Sequence, residues 1–259
     1  MSLPEPNEFY NENAGRYKQY RPRYPEALFK FLASQTSRQE LAWDCGTGSG
    51  GQAARGLAAH VSRVIATDPA KQAIAIADPY PGIEFLAEPA EKSTLADASV
   101  DLITVAQAIH WFDLERFYAE VQRVLAPGGI VALWCYRLPV IDQGRLDRLI
   151  TDLFDAPCLT PYWPDARQLV EDGYRSLPLP SSFTELRAPG FAAEENWSLD
   201  SLIGYLNTWP AIPGSAADAE AAEFLVAHTK QIKKTWKHGR RVRRSVRWPL
   251  SLRVARKPG

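Results

Sequence analysis

The chain has 259 residues, 46% of them hydrophobic and 23% charged, which supports one α/β domain with its own core and excludes disorder as the default. Its 30 Lys and Arg balance 30 Asp and Glu, so no net field draws the whole protein to nucleic acid or to an anionic membrane. Cys45, Cys135 and Cys158 are too few and too scattered for a disulfide framework or a Cys-x-x-Cys metal site, and the four histidines show no ligand spacing.

Neither a basic leader with an apolar run nor a stretch of about 18 uninterrupted apolar residues is visible, so the expectation is a soluble cytoplasmic protein with no membrane partner and no metal. In chain order, "PEALFKFLAS" (25–34) predicts a helix with proline in its first turn. The apolar runs "LAWDC" (41–45), "VIATD" (64–68), "VDLITVA" (100–106) and "IVALWCY" (130–136) predict buried parallel strands. Between them "GQAARGLAAH" (51–60) and "LERFYAEVQRVL" (114–125) predict helices, the second stopped by Pro127-Gly128-Gly129.

Beyond Tyr136 the rhythm breaks into prolines and aromatics such as Tyr162, Trp163, Tyr174, Trp197, Tyr205 and Trp209, which is read as a cap inserted into the sheet. One strand is predicted within it at 183–188. A helix follows from Ser215, its expected N-cap, to Trp236, with Phe224, His228, Ile232 and Trp236 on one face and His228 read as a packed core residue. The tail carries nine Lys or Arg between Lys230 and Arg247, flanked by Trp236 and Trp248, a pattern that fits a nucleic-acid patch. The alternation of Val246, Trp248, Leu250, Leu252 and Val254 with polar residues favours a half-buried strand, with Pro249 suited to an edge or a bulge.

The resulting fold class is α/β: a Rossmann-like doubly wound sheet, mostly parallel with an antiparallel C-terminal strand, plus a helical, aromatic cap. The expected division of a single 1–259 domain is a helical N-terminal segment at 1–40, a cofactor-binding core at 41–136, the cap at 137–240 and the C-terminal strand at 241–259.

"WDCGTGSGG" (43–51) has the dinucleotide spacing Gly46, Gly48, Gly51, yet an acid, Asp44, precedes the first glycine. A carboxylate there repels a pyrophosphate and suits a cation. Asp68, at the end of the second strand, suits a ribose of either NAD or S-adenosylmethionine.

At these residues the sequence resembles the class I, seven-strand S-adenosylmethionine-dependent methyltransferases, in particular the small-molecule branch with the trans-aconitate methyltransferase-like proteins. "DCGTGSGG" resembles the first family motif and "IATDPA" the second. "AEPAEKSTLADASVDLITVAQAIHWFD" with "VLAPGG" resembles the stretch through the fourth strand to the start of the fifth. "AGRYKQYRPRYP" (14–25) resembles the segment that closes over the cofactor as a lid. The resemblance implies that S-adenosyl-L-methionine is the cofactor. Asp44 would face its amino end, and Gly46, Thr47, Gly48 and Gly50 would line its chain. Asp68 would hold the ribose, Ala90 and Glu91 (or Glu88) would frame the adenine, and Gln107 would sit near the methionyl portion. Arg21 is the candidate for the carboxylate, because a planar guanidinium matches it bidentately. Pro89 stands where the family frequently has Asp.

The remaining candidates concern the acceptor. His110, at the carboxyl end of the fourth strand, suits a base at its ordinary pKa of about 6.5. Tyr17, Trp111, Phe112 and Arg137 are further substrate candidates, and Arg16 and Arg23 could add positive charge. A small-molecule partner, taken as a carboxylic acid and O-methylated, is the leading expectation. No nucleic-acid partner is expected, and oligomeric state is left open. The alternatives are an NAD-dependent Rossmann oxidoreductase and a noncatalytic S-adenosylmethionine-binding protein.

Overall fold

A computed structural model describes residues 19–236 and 242–259. Five parallel strands form its centre: β1 (Leu41–Cys45), β2 (Arg63–Thr67), β3 (Ile83–Leu86), β4 (Val100–Ala106) and β5 (Leu125–Tyr136). The apolar runs in β1, β2, β4 and β5 are what a sheet covered on both faces requires, and β4 is buried at every residue but its last, while the edge strand β3 is only half-buried. Three further strands are antiparallel to their neighbours: β6 (Thr184–Leu186), β7 (Phe191–Trp197) and β8 (Arg244–Arg256). The order is β3-β2-β1-β4-β5-β8-β6, with β7 also on β8. This is the mostly parallel, doubly wound sheet that the sequence predicts.

One face is packed by α1 (Glu26–Ser34), which buries Leu28, Phe29 and Leu32, and by α2 (Gln52–Leu57), which buries Ala53, Ala54 and Leu57. After β2 comes the short α3 (Lys71–Ala75). The other face is packed by α4 (Leu114–Val124), where Phe117, Val121 and Val124 meet Trp43 and Ile103. Asp113 starts α4 by accepting from the Arg116 amide at 3.2 Å.

A third core unites α5 (Gly144–Phe154), α7 (Leu199–Leu206), α8 (Ala211–Gly214) and α9 (Ala219–Trp236) with β7 and β8 through buried side chains that include Trp197, Tyr205, Trp236 and Trp248, while the short α6 (Arg167–Glu171) packs Leu169 and Val170 against the core beneath α4. On α9, His228 stacks on Phe224 at 5.0 Å and its Nε2 lies 2.7 Å from the Leu149 carbonyl of α5, so this histidine pins two helices together.

Four local expectations are corrected. Helix α9 starts at Ala219, where Asp218 accepts from the Ala221 amide at 3.0 Å, and Ser215 instead donates to the Ile212 carbonyl in the preceding turn. The segment 137–240 supplies two strands, not one, because β7 is too polar on its open side to stand out. Strand β5 starts at Leu125, with Pro127-Gly128-Gly129 absorbed in a register shift between the pairs Val100–Leu125 and Leu102–Ile130. Strand β8 is interior. Pro249 is tolerated there because three residues lie between Tyr136 and Val140 while two lie between Arg247 and Leu250, a bulge that leaves no donor needed opposite it. Trp236 and Trp248 are both fully buried, which favours the strand over stacking on bases, while Lys237 to Arg241 lie outside the described residues.

Candidate active site

The chain turns that follow β1, β2, β4 and β5 meet at the carboxyl end of the sheet and line a cleft. Its floor is the glycine loop. Gly46, Gly48 and Gly51 have φ of 72°, 60° and 52°, where L side chains are strained, and a Cβ on Gly46 would lie 2.5 Å from Ala108 Cβ. The Gly46 and Thr47 amides both donate to the Thr67 carbonyl at 2.9 Å, which fastens the loop to β2.

Asp44 is 1% exposed and spends its carboxylate on that loop. Its Oδ2 accepts from Thr47 Oγ1 at 2.7 Å and from the Ala54 amide at 3.1 Å, and its Oδ1 accepts from Thr104 Oγ1 at 2.8 Å. Burial raises its pKa to about 6 despite these bonds. The amide at the start of α2 that a phosphate would use is therefore already taken by an anion. Asp44 still borders the cleft, but its first role is to build the loop.

Asp68 stands across the loop, with Oδ2 accepting from the Gly48 amide and Oδ1 from the Ala70 amide, each at 2.9 Å, and burial raises its pKa. Gln107, with φ of 57°, is a non-glycine residue in the left-handed region at the end of β4. Its Nε2 donates to the Tyr136 carbonyl at 3.0 Å, and its Oε1 is buried with no hydrogen-bond partner among the described residues. Arg21 donates through Nη1 to Tyr136 Oη at 3.2 Å and lies 5.4 Å from the centroid of the Tyr205 ring. The described lining thus sets two carboxylates and an orphaned carbonyl oxygen against one guanidinium. Such a lining fits a ligand with both a cationic group and a carboxylate, as S-adenosylmethionine has, and disfavours the pyrophosphate of NAD.

Thr47, Gly48 and Gly50 line the cleft as expected from the sequence. Ala90 and Glu91 are not among its lining residues. Ala90 is buried in the core beside α4, and Glu91 Oε1 accepts from the Asp113 amide at 3.0 Å. Glu88 is committed to Thr94, and Tyr17 and Arg16 lie outside the described residues.

A second cavity opens from the first through Arg21, Gln107, Trp111 and Tyr136, which line both. It adds His110 and Arg137 from the sequence expectations, and Phe154, Trp163, Tyr205 and Trp209 from the region after β5. Arg167 is clamped there: its guanidinium lies 3.8 Å from the Phe154 ring centroid and 4.6 Å from that of Trp163, and it pairs with Glu171 and with Asp155. His110 departs from expectation in one respect. Burial holds its imidazole down at about 3, so it is neutral at physiological pH and does not titrate near 6.5.

Tyr24, Tyr136 and Phe154 were not singled out from the sequence as site residues, and Tyr174 was named only among the aromatics of the cap, without its tie to His110. Tyr136 had a usable signal, as the last residue of a strand at the ligand-binding end of a parallel sheet. Tyr174 and Phe154 had none, since their places depend on contacts far along the chain.

Comparison with known proteins agrees with this geometry. The family described as "Methyltransferase domain" matches residues 43–133. A Dictyostelium discoideum protein named as a methyltransferase is 32% identical over 80% of this chain and 80% of its own length. A Saccharomyces cerevisiae protein named as an S-adenosylmethionine-dependent methyltransferase is 31% identical over 50% of this chain and 47% of its own. The solved structure of an Anaeromyxobacter dehalogenans protein designated a type II methyltransferase is 39% identical, covers 93% of this chain and 100% of its own, and superposes with a TM-score of 0.83.

Proposed function

The chain belongs to the class I S-adenosylmethionine-dependent methyltransferases, and we propose that it transfers the methyl group to the carboxylate of a small organic acid. The carrying observation is that Arg137 lines the second cavity, which adjoins the cofactor cleft, so an acid entering there meets positive charge that the cofactor does not use. S-adenosylmethionine supplies a methyl group on a positively charged sulfur, an excellent leaving group. What remains for the protein is alignment and exclusion of water. Asp68 would hold the ribose hydroxyls, Gln107 Oε1 would accept from the ammonium group, and Arg21 would pair with the methionyl carboxylate. Aromatic walls from Trp111, Phe154, Trp163 and Trp209 would enclose the body of the acid.

The test is a panel of carboxylic acids, phenols and amines scored by S-adenosylhomocysteine release, with release expected from acids. In parallel, S-adenosylhomocysteine at about 100 times its dissociation constant should raise the melting temperature by about 5 to 10 °C, and NAD should not. A panel in which only phenols or amines react would overturn the acceptor.

Arg21 is carried by the segment whose Tyr20 ring lies against Gly204 of α7, so close that a Cβ on Gly204 would be 2.3 Å from it. Gly204→Ala should therefore dislodge Tyr20 and Arg21 while helping the helix itself by up to about 1 kcal/mol. The expected result in calorimetry is at least about tenfold weaker S-adenosylhomocysteine binding, the loss of a charged hydrogen bond, in a protein that stays folded. Wild-type affinity would show that this seat does not position Arg21.

A further inference from the structure

His110 sits on the single 3₁₀ turn Ile109–Trp111 that follows β4, and its Nδ1 lies 2.7 Å from Tyr174 Oη. Tyr174 is fully buried, and the fold goes to unusual lengths to put its phenol there. Its φ is 62°, a conformation that a residue with a bulky side chain rarely adopts. It follows Gly173, φ 68°, in the left-handed turn that ends α6, with the Tyr174 amide donating to the Leu169 carbonyl at 2.9 Å and the Gly173 amide to the Val170 carbonyl at 3.1 Å. From the other side Arg253 of β8, paired with Glu185 of β6, donates to the Tyr174 carbonyl at 3.0 Å and to the Leu177 carbonyl at 2.6 Å. The backbone of Tyr174 is thus fixed by α6 and by the sheet at once.

We propose that Tyr174 is a positioning residue that holds His110 in the Nε2–H tautomer, so that the second cavity offers its acceptor a hydrogen-bond donor rather than a base and selects acceptors that arrive already ionised. The inference rests on the reading of the second cavity as the acceptor site. Between a phenol and a neutral imidazole, the phenol is the better donor and the imidazole nitrogen the better acceptor, so the bond runs O–H to Nδ1. The ring proton is then on Nε2, which makes no hydrogen bond among the described residues, on a side chain that lines the second cavity. Among the described residues, the charged groups facing that space are Arg21, Arg137 and Arg167 with the single acid Glu171, already paired to Arg167. Their positive balance opposes an imidazolium, as does the burial that keeps the ring neutral down to about pH 3.

The chemistry follows. When a carboxylate oxygen forms its bond to the methyl carbon, the carbon–sulfur bond breaks with its electron pair on sulfur and no proton is left to remove. A phenol or an ammonium acceptor must lose a proton, and a histidine whose cavity-facing nitrogen carries hydrogen has no lone pair there to take it. The Nε2–H group can instead donate to the acid's second oxygen, which fixes which oxygen faces the methyl group.

The experiment is long-range proton–nitrogen correlation spectroscopy on the full chain labelled with ¹⁵N-histidine, with His110→Gln used to assign the ring. The expected spectrum is the Nε2–H tautomer, unchanged from pH 5.5 to 8.5 and with S-adenosylhomocysteine bound. Tyr174→Phe should raise the Nδ1–H population and, with an acid that the panel identifies, raise the acceptor KM by about 2- to 10-fold with kcat nearly unchanged and still flat in pH. A dominant Nδ1–H tautomer in the wild type, or titration within that range, overturns the proposal even if Tyr174→Phe fails to fold. Saturation with S-adenosylhomocysteine, seen as the melting shift, separates that result from a failure of the methyltransferase site. The expected tautomer with only phenols or amines reacting would overturn both the acid acceptor and the selection argued from it.

Discussion

Asp68→Ala is expected to weaken S-adenosylhomocysteine binding by about 10- to 150-fold, or about 1.5–3 kcal/mol, because a charged acceptor for ribose hydroxyls is lost. The unliganded protein should also change, which the sequence alone does not suggest. Asp68 accepts from the Gly48 and Ala70 amides, so its removal unfastens the glycine loop from the turn after β2. Against that loss stands relief from keeping a half-buried carboxylate charged, which already raises its pKa. The net effect on apo stability should therefore stay within about 1–2 kcal/mol. Calorimetry for affinity and thermal melting for stability separate the two effects. Asp68→Asn, which keeps an acceptor for one amide, should recover much of the stability and little of the binding. Wild-type affinity in Asp68→Ala would remove Asp68 from the cofactor site.

Trp248→Ala should lower stability by about 3–5 kcal/mol, the usual loss for a large aromatic deleted from a core. Trp248 is fully buried on β8, with ring centroids 4.6 Å from Trp197 and 5.4 Å from Tyr205, both in edge-on geometry. A total stability of about 5–15 kcal/mol makes this a large fraction, and the melting temperature should fall by about 6 to 20 °C. Trp248→Phe, which keeps most of the packed volume, should lose much less. Differential scanning calorimetry decides the matter. A shift below about 2 °C would mean that the indole is not buried, and would return the basic stretch from Lys230 to Arg247 to consideration as a binding surface.

Four of the five central strands were legible in the sequence because strands buried on both faces have no polar alternation to hide them, whereas β3, a four-residue edge strand with Glu84 exposed, was not. The glycine loop was legible because left-handed backbone at Gly46, Gly48 and Gly51 restricts the residue type so strongly. Strand β7 was not, since Glu194 and Glu195 interrupt "FAAEENW" and the strand is defined by its pairing with β8, about fifty residues later. The same limit applied to the site. Asp44 and Asp68 could be placed from their neighbours in sequence, whereas the bond between Arg21 and Tyr136, 115 residues apart, and the contact between His110 and Tyr174, 64 apart, exist only once the sheet has formed. Composition could also not anticipate that Asp44 would be consumed by Thr47, Ala54 and Thr104.

The interior position of β8 bears on how the protein is made. Strand β5 ends at Tyr136, yet the partner for its outer edge is not synthesised until Arg244 to Arg256. At ordinary elongation rates that gap is roughly 5 to 20 s. For that interval β5, among the most apolar strands of the sheet, carries a row of unpaired amides and carbonyls on a nascent chain, the condition under which strands pair with the wrong partner. Completion of the sheet is therefore a late event in which one strand joins β5, β6 and β7 together.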